Sequence, residues 1–280
     1  MRVRAIKDLT QLSDPDFFAA IAEGISLVVK NVARLQAGAA ALGESKQMHP
    51  ARVLSTVAEE EVAKVLILLD AVRCPRTPGE RLAGQLARFN DHLAKGLYAR
   101  ACGMRPGTLA ELQEYVDNHR EEFYLDGPND VDWIFRNEVL EGREGALYVD
   151  YVARDDGHHW SDPSMYEDLY FGPLEPAAVK TARSLHDAGL CSAASLAIVA
   201  EIWRANPVEP ETHFSAIREL NVRTLRTLDE RGLLAEQSSD VYSWIANEWQ
   251  FPMYGLDLSK IKVDLEMLRE RQRNWSPDWY

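Results

Sequence analysis

One apolar pattern constrains this chain more than any other feature. Phe18, Ile21, Ile25, Val28, Val32, Leu35, Ala39 and Leu42 recur at steps of three and four residues. That is the period of an amphipathic helix, held over most of about six turns. Ser13-Asp14-Pro15 marks its start, with a capping residue ahead of a proline in the first turn, and Gly43 marks its stop. A second helix is predicted from after Pro50 to about Arg73, closed by the breaker cluster Cys74-Pro75-Arg76-Thr77-Pro78-Gly79. A third is predicted over 80–102. A fourth spans 109–123, with Leu112, Val116 and Phe123 on its apolar side, and another carries Trp133, Ile134 and Leu140. Asp126-Gly127-Pro128-Asn129-Asp130 is a turn by composition. Residues 145–173 depart from the helical pattern: Leu147 to Tyr151 could be extended, and the rest of the stretch reads as a long ordered loop or a boundary. Helical spacing returns with Val179, Ala182 and Leu185, then Leu196 to Trp203, then Phe214, Ile217, Leu225 and Leu228. The fold class is all-α. Trp244, Trp249, Trp275 and Trp279 crowd the C-terminal part, and tryptophans at that density are expected to cover the bundle or another subunit.

A length of 280 residues allows one large or two modest domains. The longest apolar stretch, 62–72, is interrupted by Lys64 and Asp70 and is shorter than the roughly 20 residues a bilayer span needs. The first twelve residues lack the apolar core of a secretion signal, so a cytoplasmic location with no membrane partner is expected. Cys74, Cys102 and Cys191 are far apart, odd in number and without a C-x-x-C pair, and are read as free thiols in a reducing compartment. A formal charge of −13 argues against broad non-specific binding to nucleic acid. The charge is unevenly spread, however. Arg73, Arg76, Arg81, Arg88, Lys95, Arg100 and Arg105 face only Glu80 and Asp91 in the same stretch, a basic island in an acidic protein.

Two helices carry charge in opposite ways. Projected at about 100° per residue, the second places Glu60, Glu61 and Lys64 beside Val57, Leu68 and Val72, on a face that should be apolar. Leu66 and Leu69 occupy the other side, so this helix is predicted to be central. Lys64 can answer either carboxylate, but one cation cannot neutralise two anions, and a further partner is implied. The alternative is a helix edge where long side chains reach water. The third helix puts Leu82, Leu86, Phe89, Leu93 and Leu97 on its apolar side and Arg81, Arg88, His92 and Lys95 in a stripe about 60° wide on the other. Such a stripe is either a solvated face or a surface for a phosphate-bearing partner.

Other signals are weaker. His158 and His159 have metal-ligand residue types, but adjacent histidines rarely meet one ion and no spaced partner stands beyond them, so a packing role in a loop is expected. No phosphate-binding glycine loop, nucleophile elbow, H-E-x-x-H or ferritin-like Glu-x-x-His pair is present. Neither a cofactor nor a metal is expected.

These residues resemble the AbiV family of bacterial abortive-infection proteins, which are HEPN-like helical phage-defence factors. The likeness begins with the first helix, at Gly24-Ile25 and from Asn31 to Leu35. Glu60-Glu61-Val62-Ala63-Lys64 is similar to the family's E-E-x-x-K signature, and His92-Leu93-Ala94-Lys95 to its H-x-x-K element. Tyr148-Val149-Asp150-Tyr151 resembles its Y-V-D-Y element, and Trp160 and Pro163 its W-x-x-P ending. The resemblance covers roughly residues 15–163 and implies a HEPN-like bundle for residues 1–163, with residues 164–280 an additional helical region, either separate or packed into the same unit. In the ribonucleases of that group a histidine follows an arginine and acts in metal-independent attack by the RNA 2′-hydroxyl on its own phosphate. Carried over, His92 would be the general base or acid, Arg88 and Lys95 would hold the phosphate, and Glu60, Glu61 and Lys64 would buttress the site. Here Arg88 and His92 have only three residues between them, where the family pattern has four to six positions. A catalytic reading with RNA as partner therefore stands beside a non-catalytic one, in which the charged groups recognise a phage or host protein. A homodimer is expected in either case.

Overall fold

The computed structural model describes residues 4–121, 123–124, 135–154, 157–163, 175–264, 266–267, 270 and 274. The first helix, α1 (Asp14–Glu44), starts where the Ser13 hydroxyl accepts from the Asp16 N–H, which satisfies one of the donors a helix start leaves open. Phe17, Phe18, Ile21, Ile25, Val28 and Val32 are buried, whereas the repeat beyond them is only partly covered.

Next comes α2 (Met48–Arg73). It begins before Pro50 rather than after it. Proline is tolerated in a first turn, where its missing N–H would have no helical partner. Every residue from Val65 to Arg73 is buried, and α2 is the central helix of the bundle. It packs against α1, α4 (His92–Ala101), α7 (Ala177–Asp187) and α8 (Ala193–Arg204).

The single helix expected over 80–102 is in fact broken. Residues Gly79–Ala87 form α3, Arg88–Asn90 a 3-10 turn, and α4 starts afresh at His92. Asp91 is the cause: its backbone is extended, and its side chain caps α4 by accepting from the Ala94 N–H. Leu82, Leu86, Leu93 and Leu97 are nonetheless all buried, so the apolar side survives the break.

The fourth helix, α5 (Leu109–Arg120), ends earlier than expected. Phe123 belongs instead to a short hairpin, β1 (Phe123–Tyr124) with β2 (Phe135–Arg136). After it come α6 (Glu138–Leu147) and a second antiparallel hairpin, β3 (Asp150–Arg154) with β4 (Gly157–Ser161). His158 and His159 therefore stand in a strand, opposite Ala153 and Val152, and not in a loop. The turn expected at 126–130, together with Trp133, Ile134, Trp275 and Trp279, lies outside the described residues. The C-terminal part continues through α9 (Phe214–Glu230) and α10 (Ser239–Glu248). Apart from the two hairpins the described chain is all-α.

One hydrophobic core runs through both parts of the chain, joining Leu69 and Leu97 to Leu196, Trp203 and Phe251. Beside it lies a polar knot. The Asp70 carboxylate, 1% exposed, accepts from Arg73, from the Tyr98 hydroxyl at 2.8 Å and from the Met253 N–H at 2.7 Å. Arg73 donates to the Gln250 carbonyl and lies over the adjoining rings of Trp203 and Trp249, 4.5 and 4.6 Å from their centres. Two of the tryptophans are thus spent on covering a buried cation. Trp244 is half-buried, its indole N–H donating to the Thr181 hydroxyl. All three cysteines are free and buried.

Candidate functional site

The charged half of α2 lies at the rim of the core. Side-chain exposure is 17% for Glu60, 18% for Glu61 and 20% for Lys64. Val57, on the same face, is itself exposed. The expectation that this trio sits inside the bundle is therefore corrected to a half-buried position: every residue of α2 from Val65 to Arg73 is buried, whereas Glu59, Glu60, Glu61 and Lys64 are only partly so.

The two carboxylates divide their partners. Glu61 takes the Lys64 ammonium at 2.5 Å and the Asn31 amide of α1 at 3.2 Å. Lys64 also lies over the Phe89 ring, 5.0 Å from its centre. Glu60 is turned toward α4 and α6. Its Oε2 accepts from His92 Nδ1 at 2.8 Å and from Lys95 Nζ at 3.0 Å, and its Oε1 pairs with Arg143 Nε at 2.7 Å. Three cationic or titratable groups from two helices meet on one carboxylate. Burial works to raise the Glu60 pKa, but the hydrogen bonds and charges of Lys95 and His92 outweigh it and hold the carboxyl below its ordinary value. The neighbouring Glu59 shows the reverse balance. Burial raises its pKa, and Arg100 only partly offsets that.

An ionised carboxylate can only accept, so the His92–Glu60 contact places the imidazole proton on Nδ1. That leaves Nε2 as the basic nitrogen, on a side chain 48% exposed. Lys95 is 3.3 Å from Nδ1 but has a shorter contact with Glu60, so it does not claim the Nδ1 position. Lys95 is also only 7% exposed, which removes it from the solvated stripe projected for the third helix.

Arg88 does not join this group. Its guanidinium donates to Gln85 Oε1 at 2.8 Å, to the Met253 carbonyl at 2.7 Å and to the Leu256 carbonyl. The break at 88–91 turns it away from the His92 face, and it ties the C-terminal segment to α3. The idea that Arg88 and His92 share one side of one helix is thus corrected.

Arg143, which the sequence pattern did not single out, is placed by three features of α6. Asn137 caps its start, accepting from the Val139 and Leu140 N–H groups while donating to the carbonyls of His119 and Glu121. Gly96 of α4 leaves room for close approach, since a Cβ there would stand 2.2 Å from Val139 Cγ1. His49 Nε2 lies 3.1 Å from the Ala146 carbonyl and links α6 to the start of α2. Arg143 is one helical turn beyond Val139, so the contact at Gly96 delivers it beside Lys95 and Glu60. Nothing in the local sequence distinguishes Arg143 from a surface arginine. Asn31 did carry a signal, being part of the first-helix stretch that resembles the family. Among the described residues no group of three or more histidine, cysteine, aspartate or glutamate side chains is placed to hold a metal ion.

The family model for AbiV, of HEPN type, matches residues 20–168. The chain belongs to the AbiV family. No curated protein and no solved structure matches it. The AbiV match spans α2, α4 and α6, so Glu60, Glu61, Lys64, His92, Lys95 and Arg143 all fall within it, and α7 to α10 lie beyond it. AbiV membership points to abortive-infection phage defence. Among the described residues no helix is long and apolar enough to cross a membrane.

Proposed function

We propose that this AbiV-family protein acts in phage defence as a metal-independent endoribonuclease, with His92 as its general base. The observation that carries the reading is the 2.8 Å contact between Glu60 and His92 Nδ1. A carboxylate behind an imidazole fixes the tautomer, directs the free lone pair outward and stabilises the imidazolium formed when a proton is taken up.

His92 Nε2 takes the proton of an RNA 2′-hydroxyl. The 2′-oxygen bonds to the adjacent phosphorus, the bond from phosphorus to the 5′-oxygen breaks, and that oxygen leaves with a proton from the imidazolium or from water. The products are a 2′,3′-cyclic phosphate and a 5′-hydroxyl. Lys95 supplies positive charge to the phosphorane oxygens. Glu61 and Lys64 neutralise each other and hold the α1–α2 side of the site. Local charge favours an anionic partner even in an acidic protein: Lys95 and Arg143 outnumber Glu60, before any charge on His92 is counted.

The test is cleavage of unstructured RNA by the purified protein, with and without EDTA. Cleavage should survive EDTA, leave cyclic phosphate ends, and fall by about 10²- to 10⁴-fold in His92→Ala with the melting temperature retained. Cleavage that EDTA abolishes, or undiminished phage protection by His92→Ala, would remove the proposal and favour a protein-binding role.

A further inference from the structure

We infer that Arg143, rather than Arg88, is the arginine that binds phosphate at this site. The inference deepens the ribonuclease reading by naming the group that grips the scissile phosphate, and it can be tested without any cleavage.

Three observations lead to it. First, Arg143 uses only Nε on Glu60 Oε1, at 2.7 Å. Its two Nη groups have no partner among the described residues, and the side chain is 23% exposed. A guanidinium bound at one edge to a carboxylate keeps its other edge for a second anion, where parallel N–H donors match two phosphate oxygens. Second, the position is built. The buried Asn137 cap, the Gly96 notch and the His49 link hold α6 against α4 and α2, so the guanidinium is delivered by a rigid element and not by a loop. Third, Glu60 gathers the donor set that also suits phosphate: an arginine, a lysine and a histidine converge there from two helices. The carboxylate orients the donors, and their remaining N–H groups and residual positive charge are left for the ligand. Arg88 has no comparable freedom, since both of its Nη groups are spent on Gln85 and on two backbone carbonyls.

The class of ligand is a phosphate monoester or diester carrying at least one full negative charge. Inorganic phosphate and uridine 3′-monophosphate serve as probes, titrated into the full chain at low ionic strength by calorimetry. In parallel, the imidazole signals are followed by NMR in protein carrying ¹³C-labelled histidine, with His92 assigned from His92→Ala. Both probes should bind and shift the His92 signal. Arg143→Ala should weaken binding on the order of tenfold to a hundredfold, the range for losing hydrogen bonds to a charged group. Arg143→Lys should recover part of that loss, and Arg88→Gln should lower the melting temperature while leaving affinity in place.

Absence of phosphate binding by the parent at about 10 mM probe, or an Arg143→Ala titration matching the parent, overturns the inference and makes Arg143 a structural tie to Glu60. The same holds if Arg88→Gln stays folded and loses the phosphate. The two readings separate cleanly. A protein that binds phosphate through Arg143 but leaves RNA intact keeps this inference and loses the nuclease; a ribonuclease unaffected by Arg143→Ala does the opposite.

Discussion

Replacing Asp70 by asparagine tests the polar knot that holds the C-terminal segment to α2. The substitution keeps the volume and removes the charge. Asp70 accepts from Arg73 twice, from the Tyr98 hydroxyl and from the Met253 N–H, all within the buried core. Asparagine retains one acceptor oxygen and turns an NH₂ toward donors. Arg73, 3% exposed, is then left without a counter-charge. Breaking a buried pair in this way costs about 3–5 kcal/mol. The Trp203 and Trp249 rings contact Arg73 in parent and variant alike and so cancel in the difference; the lower end, about 3 kcal/mol, is expected because asparagine keeps one acceptor oxygen in place. With an unfolding entropy of about 2.1 cal/mol/K per residue, a cooperative chain of 280 residues should lose roughly 5 °C in Tm. Differential scanning calorimetry of Asp70→Asn and of Asp70→Asn with Arg73→Met decides it. The double variant should recover part of the loss, because Arg73→Met removes the buried cation that Asp70→Asn leaves without a counter-charge. A single variant melting within about 1 °C of the parent would refute the reasoning, because the knot would then have to be reached by water.

The same geometry sets two further expectations. Burial raises the Glu59 pKa above its ordinary 4.5, with Arg100 only partly opposing, so the folded state binds that proton more readily than the unfolded state. The ionised group therefore costs stability at neutral pH, and the cost fades as pH falls through the raised folded value toward the unfolded one. Glu59→Gln should raise Tm at pH 7 and leave it unchanged near pH 4; a lower Tm at pH 7 would mean that the Arg100 interaction wins. Gly96→Ala sets a helix-propensity gain of about 1 kcal/mol against an overpacking cost of about 1–3 kcal/mol, because its Cβ would stand 2.2 Å from Val139 Cγ1. A net loss in Tm, relieved by adding Val139→Ala, is expected, and a Gly96→Ala protein as stable as the parent would show that α6 can retreat freely.

What was legible in the sequence depended on period, and what was hidden depended on approach. The three- and four-residue spacing of Phe18 to Val32 and of Leu82 to Leu97 predicted buried faces, and those faces are buried, because a helix repeats its own geometry without help from its neighbours. The central place of α2 was legible for the same reason, as apolar residues nearly all round leave no side for water. The charged trio was harder, since a projection gives an angle but not a depth along the axis. It could not show that α2 is buried on every side only from about Val65 onward. Arg88 was misplaced by an error of phase. Through a 3-10 turn each residue advances about 120° instead of about 100°, and an extended residue at Asp91 then resets the direction altogether. The sign was available, because Asp91 directly precedes the His92-Leu93-Ala94-Lys95 segment and aspartate is among the strongest N-caps. A single cap outweighed the continuity of the leucine repeat, which crossed the break because the two short helices lie on the same core. Arg143 had no local sign at all. Its role is set by Gly96, Val139 and Asn137, which bring α6 to the carboxylate of a helix about eighty residues earlier in the chain, and such convergence is a property of packing that no single helix encodes.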